Sequence, residues 1–172
     1  DIDYYVVGRE VEDLSLYQEN YSERLVVLPG MGIVHKPLSS PPAPPALKQA
    51  RKHLIINLSG SAQKCSLPFL LALRAVLQRI KRPVLLRFFV GTGAMRDCGY
   101  EPFCSDLAAH LGRDSFEVIN HLPYAEYLSR MQEGDLALDS FHYSGCNTIV
   151  DSLFLKIPIL TLKGSKWYNR IG

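Results

Sequence analysis

The sequence predicts an α/β fold built on an open parallel sheet. From residue 53 to the end of the chain, short apolar segments of strand length alternate with segments in which apolar residues recur at helical spacing. The strand-like segments, among them LIINL at 54–58 and IPILTL at 157–162, are apolar at both odd and even positions. This pattern is typical of parallel strands that helices cover on both faces.

The first half of this alternation contains two strands and two helices. His53 to Leu58 is a short apolar strand, and the helix from about Pro68 to Ile80 begins with a proline, which suits a first helical turn. Val84 to Val90 (VLLRFFV) is a second buried strand, and a second helix is predicted from about Pro102 to Leu111.

The second half contains three strands and two helices. Strands are predicted at 116–122, 136–141 and 157–162. One helix follows Pro123, from Tyr124 to Gln132, and another follows a tight turn, from about Thr148 to Leu155. Because ligands of open parallel sheets bind at the carboxyl ends of the strands, the turns at those ends are the candidate site.

Residues 1–46 are predicted to be the tail of a neighbouring lobe with a proline-rich linker, and residues 47–172 to be the sheet-forming lobe. The segment PLSSPPAPP at 37–45 holds five of the 11 prolines, which favours an extended conformation. The apolar runs at 4–7 and 25–28 read as short strands and are too small to form a core alone. Because the chain stops where another helix begins, near Trp167, we expect it to be a piece of a longer protein.

Composition argues against several classes of function. The 172 residues are 47% hydrophobic, and 19 basic and 17 acidic residues mix along the chain, so neither nucleic acid nor a membrane is an expected partner. The apolar runs are shorter than the roughly 20 residues of a membrane span. Four cysteines without a CxxC pair predict a reducing, cytoplasmic setting. The histidines show no ligand pairing such as HExxH, so we expect neither a metal nor a cofactor.

The turn after the first strand of the sheet, NLSGSAQKCSLP at 57–68, is a candidate anion site. Small residues from Ser59 to Ser61 let the backbone approach a phosphate, and Lys64 adds a positive charge. A flexible turn with a solvated lysine is the alternative, because the GxxxxGK[ST] loop is absent. In VGTGAM at 90–95 the third glycine of a dinucleotide fingerprint is missing, which predicts an ordinary loop.

The turn NHLPYAEYLSR at 120–130 is a candidate base-binding site. A chain that enters a helix after a proline leaves backbone groups free near Leu122, and Arg130 lies about two turns along that helix. His121 and Tyr124 are placed to stack on a base. A surface arginine and a half-buried tyrosine are the alternative.

The stretch SGCNTIVD at 144–151 is a candidate phosphate site at a helix start. Gly145 permits a tight turn, and Asn147 or Thr148 can cap the helix, whose free N–H groups attract anions. Thr148 and Asp151 also match a capping box, in which the acid binds the cap backbone. The other interpretation is that Asp151 accepts hydrogen bonds from ribose hydroxyls. Cys146 lies where a thiol pKa tends to fall, which allows a reactive cysteine, although a small residue in a turn is commoner.

Four separated stretches resemble the catalytic region of the O-linked N-acetylglucosamine transferases and their SPINDLY-like relatives. They are YSERLVVLP at 21–29, VLLRF at 84–88, the turn at 120–130 and the segment at 139–162, in matching order and spacing. The resemblance implies a two-lobed GT-B glycosyltransferase. This chain would be its Rossmann-like C-terminal lobe, which binds the nucleotide sugar without a metal.

The resemblance also implies roles for individual residues. Lys64, with Ser61 beside it, matches the lysine that contacts the diphosphate, and it is the expected catalytic residue. The Leu122 backbone and Arg130 match the site that reads the base, where Tyr124 stands in place of a lysine. The residues that remain form the phosphate-binding helix start and the acid that binds the ribose: Gly145, Cys146, Asn147, Thr148 and Asp151.

The implied activity is inverting transfer of a sugar from UDP-GlcNAc or UDP-glucose to a protein or peptide acceptor. The pair Asn147-Thr148 is typical of bacterial relatives rather than of animal ones, which leaves the donor open, and GDP-fucose is an alternative. A non-catalytic nucleotide-sugar-binding module and a nucleotide-sugar epimerase of similar two-lobed fold are also compatible with these residues. Implied partners are the rest of the N-terminal lobe and possible tetratricopeptide repeats.

Overall fold

The computed structural model describes residues 2–12, 18–36, 40, 51–90 and 100–172. Strands and helices alternate along the described chain in the predicted way. In chain order they are β1 (Tyr4–Gly8), β2 (Arg24–Leu28), β3 (Leu54–Ser59), α1 (Leu67–Arg79), β4 (Val84–Phe89), α2 (Tyr100–Leu111), β5 (Phe116–Ile119), α3 (Tyr124–Gln132), β6 (Leu136–Leu138), α4 (Asn147–Phe154) and β7 (Ile159–Leu160).

Strands β3 to β7 form one parallel sheet in the order β5-β4-β3-β6-β7. The order reverses on either side of β3, so the crevice at the carboxyl ends of β3 and β6 is the expected ligand position. Strands β1 and β2 pair with each other in a separate parallel sheet. The prediction of an open α/β sheet from residue 53 onward is confirmed.

Helices cover the five-stranded sheet on both faces, as the doubly apolar strands predict. On one face the core centres on Ile56, Leu86 and Phe88, with helices α1 and α2 against it. On the other face Phe89 packs with Leu128 of α3 and with residues of the α4–β7 segment. Within the described ranges, no helix is long and apolar enough to cross a membrane.

The last three strands are shorter than predicted. The ladder ends at Ile119 in β5 and at Leu138 in β6, whereas the apolar runs continue to 122 and 141. After these points the chain turns away from the sheet and lines a cleft. Strand β7 pairs only at Ile159 and Leu160, because Pro158 has no N–H to extend the ladder. The predicted linker at 37–45, except residue 40, and the loop at 91–95 lie outside the described residues.

A polar row crosses the sheet and anchors the end of α3. Asn57 of β3, Arg87 of β4 and Glu117 of β5 are paired in register. The Asn57 amide donates to the Met131 carbonyl at 2.7 Å, and the Arg87 guanidinium donates to the Arg130 carbonyl at 2.9 Å. Both carbonyls also accept a backbone N–H, from Glu133 and Gly134, and the added side-chain bonds tie the end of α3 to the sheet.

Replacing Arg87 with methionine is expected to destabilise the fold by about 3 kcal/mol, which urea unfolding would measure. The arginine side chain is almost fully buried and pairs with Glu117 and with Glu133, the latter at 3.1 Å. Its loss leaves Glu117 and Glu133 with only the half-exposed Arg130 as an ion-pair partner, and it removes the bond from the sheet to the end of α3. The matched control is Arg74→Met on the exposed face of α1, which we expect to change the free energy of unfolding by less than about 0.5 kcal/mol. Equal effects of the two changes would contradict an anchoring role.

Candidate functional site

A cleft of about 350 Å³ opens at the carboxyl edge of the sheet. Residues that end β3, β4 and β5 form its floor, and α3 and α4 form its walls. Of the residues predicted from the sequence, those that line it are Ser61, His121, Leu122, Tyr124, Thr148 and Asp151. Residues from three separate turns therefore meet in one cavity of a size suited to a small ligand.

Asp151 faces Tyr124 across the cleft. The Tyr124 hydroxyl donates to Asp151 Oδ1 at 2.6 Å, which joins α3 to α4. Burial raises the pKa of Asp151, and the bond from Tyr124 partly offsets that effect. Burial and the neighbouring carboxylate raise the pKa of Tyr124 to about 12. Asp151 is therefore a half-buried acceptor that binds Tyr124 through Oδ1 and also has the Tyr127 hydroxyl close to its carboxylate.

The capping interpretation of this stretch is wrong. Helix α4 begins at Asn147, its N-cap is Cys146, and no side chain makes a capping hydrogen bond. Neither Asn147 nor Thr148 is the cap. Asp151 lies more than one turn inside the helix, and it binds Tyr124 rather than the backbone of a cap residue. At this position inside α4, the carboxylate of Asp151 lines the cleft and can contact a ligand.

Gly145 allows the turn before α4 to pack tightly. Its N–H donates to Asp139 Oδ1 at 2.7 Å, and a Cβ at this position would lie 2.4 Å from Thr148 Oγ1. The glycine is needed for this close approach, because any side chain would displace the hydroxyl of Thr148. The predicted tight turn at Gly145 is therefore present.

Asp139 is a residue of this region to which the sequence assigned no role. One of its carboxylate oxygens accepts the N–H groups of Ser140 and Gly145, and the other accepts the Thr161 hydroxyl at 2.8 Å. Burial raises its pKa, and these hydrogen bonds oppose the rise. Its position as an acid directly after a buried strand is a signal that sequence reasoning could have used. Asp139 fixes the turn and thereby the start of α4.

The N–H groups at the start of α4 are available to a ligand. Among the described residues, no acceptor lies within hydrogen-bonding distance of the backbone N–H of Asn147 or Thr148. The positive end of the helix dipole lies at the same place. The geometry is suited to an anion.

Lys64 reaches the turn before this helix from a smaller pocket that shares Ser59 to Ser61 with the cleft. Its Nζ donates to the Ser144 carbonyl at 2.9 Å and lies 4.7 Å from the centre of the Tyr143 ring. Burial lowers the pKa of Lys64, while Asp139 and Cys146 act in the opposite direction. The lysine predicted to contact a diphosphate is thus beside the predicted phosphate site.

Cys146 does not have the character of a reactive thiol. Burial raises its pKa, although the charge of Lys64 opposes the rise. Of the two interpretations of Cys146, a small residue in a turn therefore fits better than a reactive cysteine, because burial disfavours the thiolate. The Cys146 Sγ lies 3.5 Å from Nε2 of His35, in the segment that follows β2.

Arg130 is placed outside the main cleft. It forms ion pairs with Glu133 at 2.6 Å and Glu117 at 3.5 Å, and it borders a neighbouring open depression. Ile119 and Leu122 border both the cleft and this depression. The structure thus brings Arg130 next to Leu122 but not to Asp151.

Tyr127 is a second cleft residue that the sequence did not single out as a site residue. Its ring stacks on that of Tyr124, with centroids 6.1 Å apart, and packs edge-on against Phe89. Burial raises the pKa of Tyr127. The two tyrosines are one turn apart on α3, a spacing that could have identified the pair. Together they form an aromatic wall against which a planar base can stack.

No group of three or more His, Cys, Asp or Glu side chains is placed to hold a metal ion in the part of the chain that the structure describes.

Comparison with known proteins gives relatives in sequence and in structure. The sequence is 25% identical over 173 residues to the UDP-glucose:protein N-beta-glucosyltransferase of Actinobacillus pleuropneumoniae serotype 5b (strain L20), an alignment that covers 99% of this chain. The fold is similar to a mutant of the O-GlcNAc transferase of Thermobaculum terrenum, with a TM-score of 0.79, 24% identity and 98% of this chain covered. No protein-family profile matches the sequence.

A more distant structural neighbour is the sucrose-phosphate synthase of Thermosynechococcus elongatus, with a TM-score of 0.63, 13% identity and 92% of this chain covered. These matches confirm a Rossmann-like α/β fold of the kind found in GT-B glycosyltransferases, and they bear out the resemblance found in the sequence. The chain spans 27% of the glucosyltransferase, 32% of the O-GlcNAc transferase chain and 40% of the synthase chain.

Proposed function

We propose that this chain is the nucleotide-sugar-binding lobe of a glycosyltransferase that transfers a sugar from a UDP-linked donor to a protein. The donor we favour is UDP-glucose or UDP-GlcNAc. The relative in sequence is a UDP-glucose:protein N-beta-glucosyltransferase, and the first structural neighbour is an O-GlcNAc transferase. The single observation that carries the proposal is the convergence of predicted residues from three turns, among them Leu122, Thr148 and Asp151, on one cleft beside the start of α4.

The nucleoside would occupy the cleft between α3 and α4. Its base would stack on the wall formed by Tyr124 and Tyr127, near the backbone of Leu122. A ribose hydroxyl would donate to the carboxylate of Asp151, which lines the cleft beside Tyr124 and Tyr127. Arg130, beside Leu122, would contact the outer edge of the base.

The diphosphate would lie at the start of α4. The N–H groups of Asn147 and Thr148 point there, and Lys64 Nζ is held at the Ser144 carbonyl immediately before the helix. Ser61 borders the cleft on the same side. Helix N-termini and lysine ammonium groups are common partners of phosphate.

The transfer would be an inverting displacement. An acceptor hydroxyl or amide forms the new bond to the anomeric carbon as the bond to the nucleoside diphosphate breaks, and the leaving diphosphate takes the electron pair. Lys64 and the helix N–H groups would stabilise the negative charge that develops there. With these groups in place, no metal or cofactor would be needed to stabilise the leaving diphosphate. The general base and the acceptor contacts would come from the remainder of a longer protein, namely the N-terminal lobe and possible tetratricopeptide repeats.

A transfer assay on the intact protein tests the proposal. The protein is incubated with UDP-glucose, UDP-GlcNAc or GDP-fucose and an acceptor peptide, and the mass of the peptide is followed; a reaction without peptide is the control. We expect hexose or N-acetylhexosamine to be added from a UDP donor. Transfer from GDP-fucose alone would reassign the donor. If the protein binds a donor but the mass of the peptide does not change, it is a non-catalytic module. If the donor is converted in the control reaction without peptide, the protein is an epimerase.

UDP binding is expected to weaken toward both acidic and alkaline pH. The raised pKa of Asp151 means that it loses its charge at a higher pH than an ordinary aspartate as the solution is acidified. The lowered pKa of Lys64 means that it loses its charge at a lower pH than an ordinary lysine as the solution becomes alkaline.

Calorimetric titration with UDP across pH would measure the two changes separately. The titration of the UDP phosphate itself is common to every variant. In comparison with the unmodified protein, Asp151→Asn should therefore flatten the acidic decline and Lys64→Met the alkaline one. Unaltered declines in both variants would contradict this assignment of the charges.

A further inference from the structure

His35 approaches the start of α4 from a different part of the chain. It lies in the segment at 33–36 that follows β2, whereas α4 connects two strands of the five-stranded sheet, β6 and β7. Its Nε2 lies 3.5 Å from the Sγ of Cys146, the N-cap residue of α4. The imidazole is thus at the same helix end where the N–H groups of Asn147 and Thr148 are available.

Lys64 acts on the same thiol. The charge of Lys64 opposes the rise in the pKa of Cys146, and Cys146 in turn raises the pKa of Lys64, so the two groups are electrostatic neighbours. The Cys146 side chain therefore contacts an imidazole, and the Lys64 ammonium binds the carbonyl of Ser144, two residues earlier in the same turn. Side-chain donors from two segments thus lie near one helix start, and together with the backbone N–H groups they are placed to surround an anion.

The contact made by His35 in the free protein is weak and exchangeable. A thiol is a poor donor and a poor acceptor, and the imidazole is exposed to solvent. A phosphate oxygen is a much stronger acceptor for an imidazole N–H. A diphosphate at the start of α4 would therefore replace the contact between His35 and Cys146 with a stronger one, at little cost to the rest of the structure.

We propose that His35 is a further binding residue of the nucleotide site and donates a hydrogen bond to the diphosphate. This inference rests on the proposed function, because it concerns the same ligand. It gives the segment after β2 a role, because that segment places a side-chain donor at the start of α4. The nucleoside, in the cleft beside Tyr124 and Asp151, is not contacted by His35.

The test compares UDP with uridine, since only UDP carries the diphosphate. The intact protein and its His35→Ala variant are titrated with each compound by calorimetry. We expect His35→Ala to weaken UDP binding about tenfold and to leave uridine binding unchanged. His35→Gln should recover part of the loss, because its amide can donate from a similar position. The matched control is His53→Ala, an exposed histidine before β3 at the opposite edge of the sheet, which should change neither affinity.

Three results would overturn the inference. If His35→Ala weakens UDP and uridine equally, the residue has only a structural role. If it weakens neither while Asp151→Asn weakens both, the site is occupied as proposed but His35 takes no part in it. Failure of the unmodified protein to bind UDP would reject the proposed function itself, and with it this inference.

Discussion

Replacing Lys64 with alanine is expected to lower the turnover of the intact enzyme about hundredfold, the typical cost of losing one preorganised donor to a developing negative charge. Lys64 Nζ is held 2.9 Å from the Ser144 carbonyl, beside the helix start where the leaving diphosphate would lie. Because the ammonium is positioned before the donor binds, little reorganisation is needed during the reaction. Initial rates at saturating donor and acceptor would measure the effect.

The matched control is Lys81→Ala, since Lys81 is exposed in the turn between α1 and β4, at the edge of the sheet away from the cleft. We expect this variant to keep the turnover of the unmodified enzyme. The melting temperature of both variants should stay close to that of the unmodified protein, which separates a catalytic loss from unfolding. Unchanged turnover of Lys64→Ala would remove the residue from the mechanism.

Replacing Asp151 with asparagine is expected to weaken UDP binding by roughly tenfold to a hundredfold, because hydrogen bonds to a charged acceptor are worth about 1.5–3 kcal/mol. The same change should not lower the stability of the fold. The pKa of Asp151 is raised by burial, so the folded protein favours the neutral form, and the carboxyl contributes most to stability at low pH and less as the pH rises through its folded pKa. An amide, which carries no charge, avoids that loss at neutral pH.

Calorimetric titration and thermal unfolding of the same samples measure both effects. Asp106→Asn is the matched control, because Asp106 is exposed on α2. We expect it to change neither the affinity for UDP nor the melting temperature. A lower melting temperature with unchanged UDP affinity in Asp151→Asn would indicate that the acid is a structural element of α4 and not a ligand contact.

The fold could be predicted because its strands are buried on both faces. The runs LIINL and VLLRFF carry that information locally, and Pro123 marks the beginning of α3, whose bounds match the prediction. The strand ends could not be predicted in the same way. In β5 and β6 the apolar run continues past the ladder, because the residues after Ile119 and Leu138 face a cleft or a turn instead of a neighbouring strand.

The site could be predicted in part, and the failures share a cause. From the sequence alone, the helix near Thr148 could begin at any of several neighbouring residues. Its actual start is fixed by Asp139, whose carboxylate accepts the N–H of Gly145. That contact joins the end of β6 to the turn before α4, and a local capping pattern does not contain it. The contact of His35 with Cys146 joins residues still farther apart, so no spacing rule identifies it.

The most direct test of the central claim is a crystal structure of the intact protein with UDP. The account predicts a ribose hydroxyl on Asp151, the base on the wall of Tyr124 and Tyr127, and the diphosphate at the N–H groups of Asn147 and Thr148. UDP bound elsewhere, with no ligand hydroxyl on Asp151 and the start of α4 empty, would contradict it.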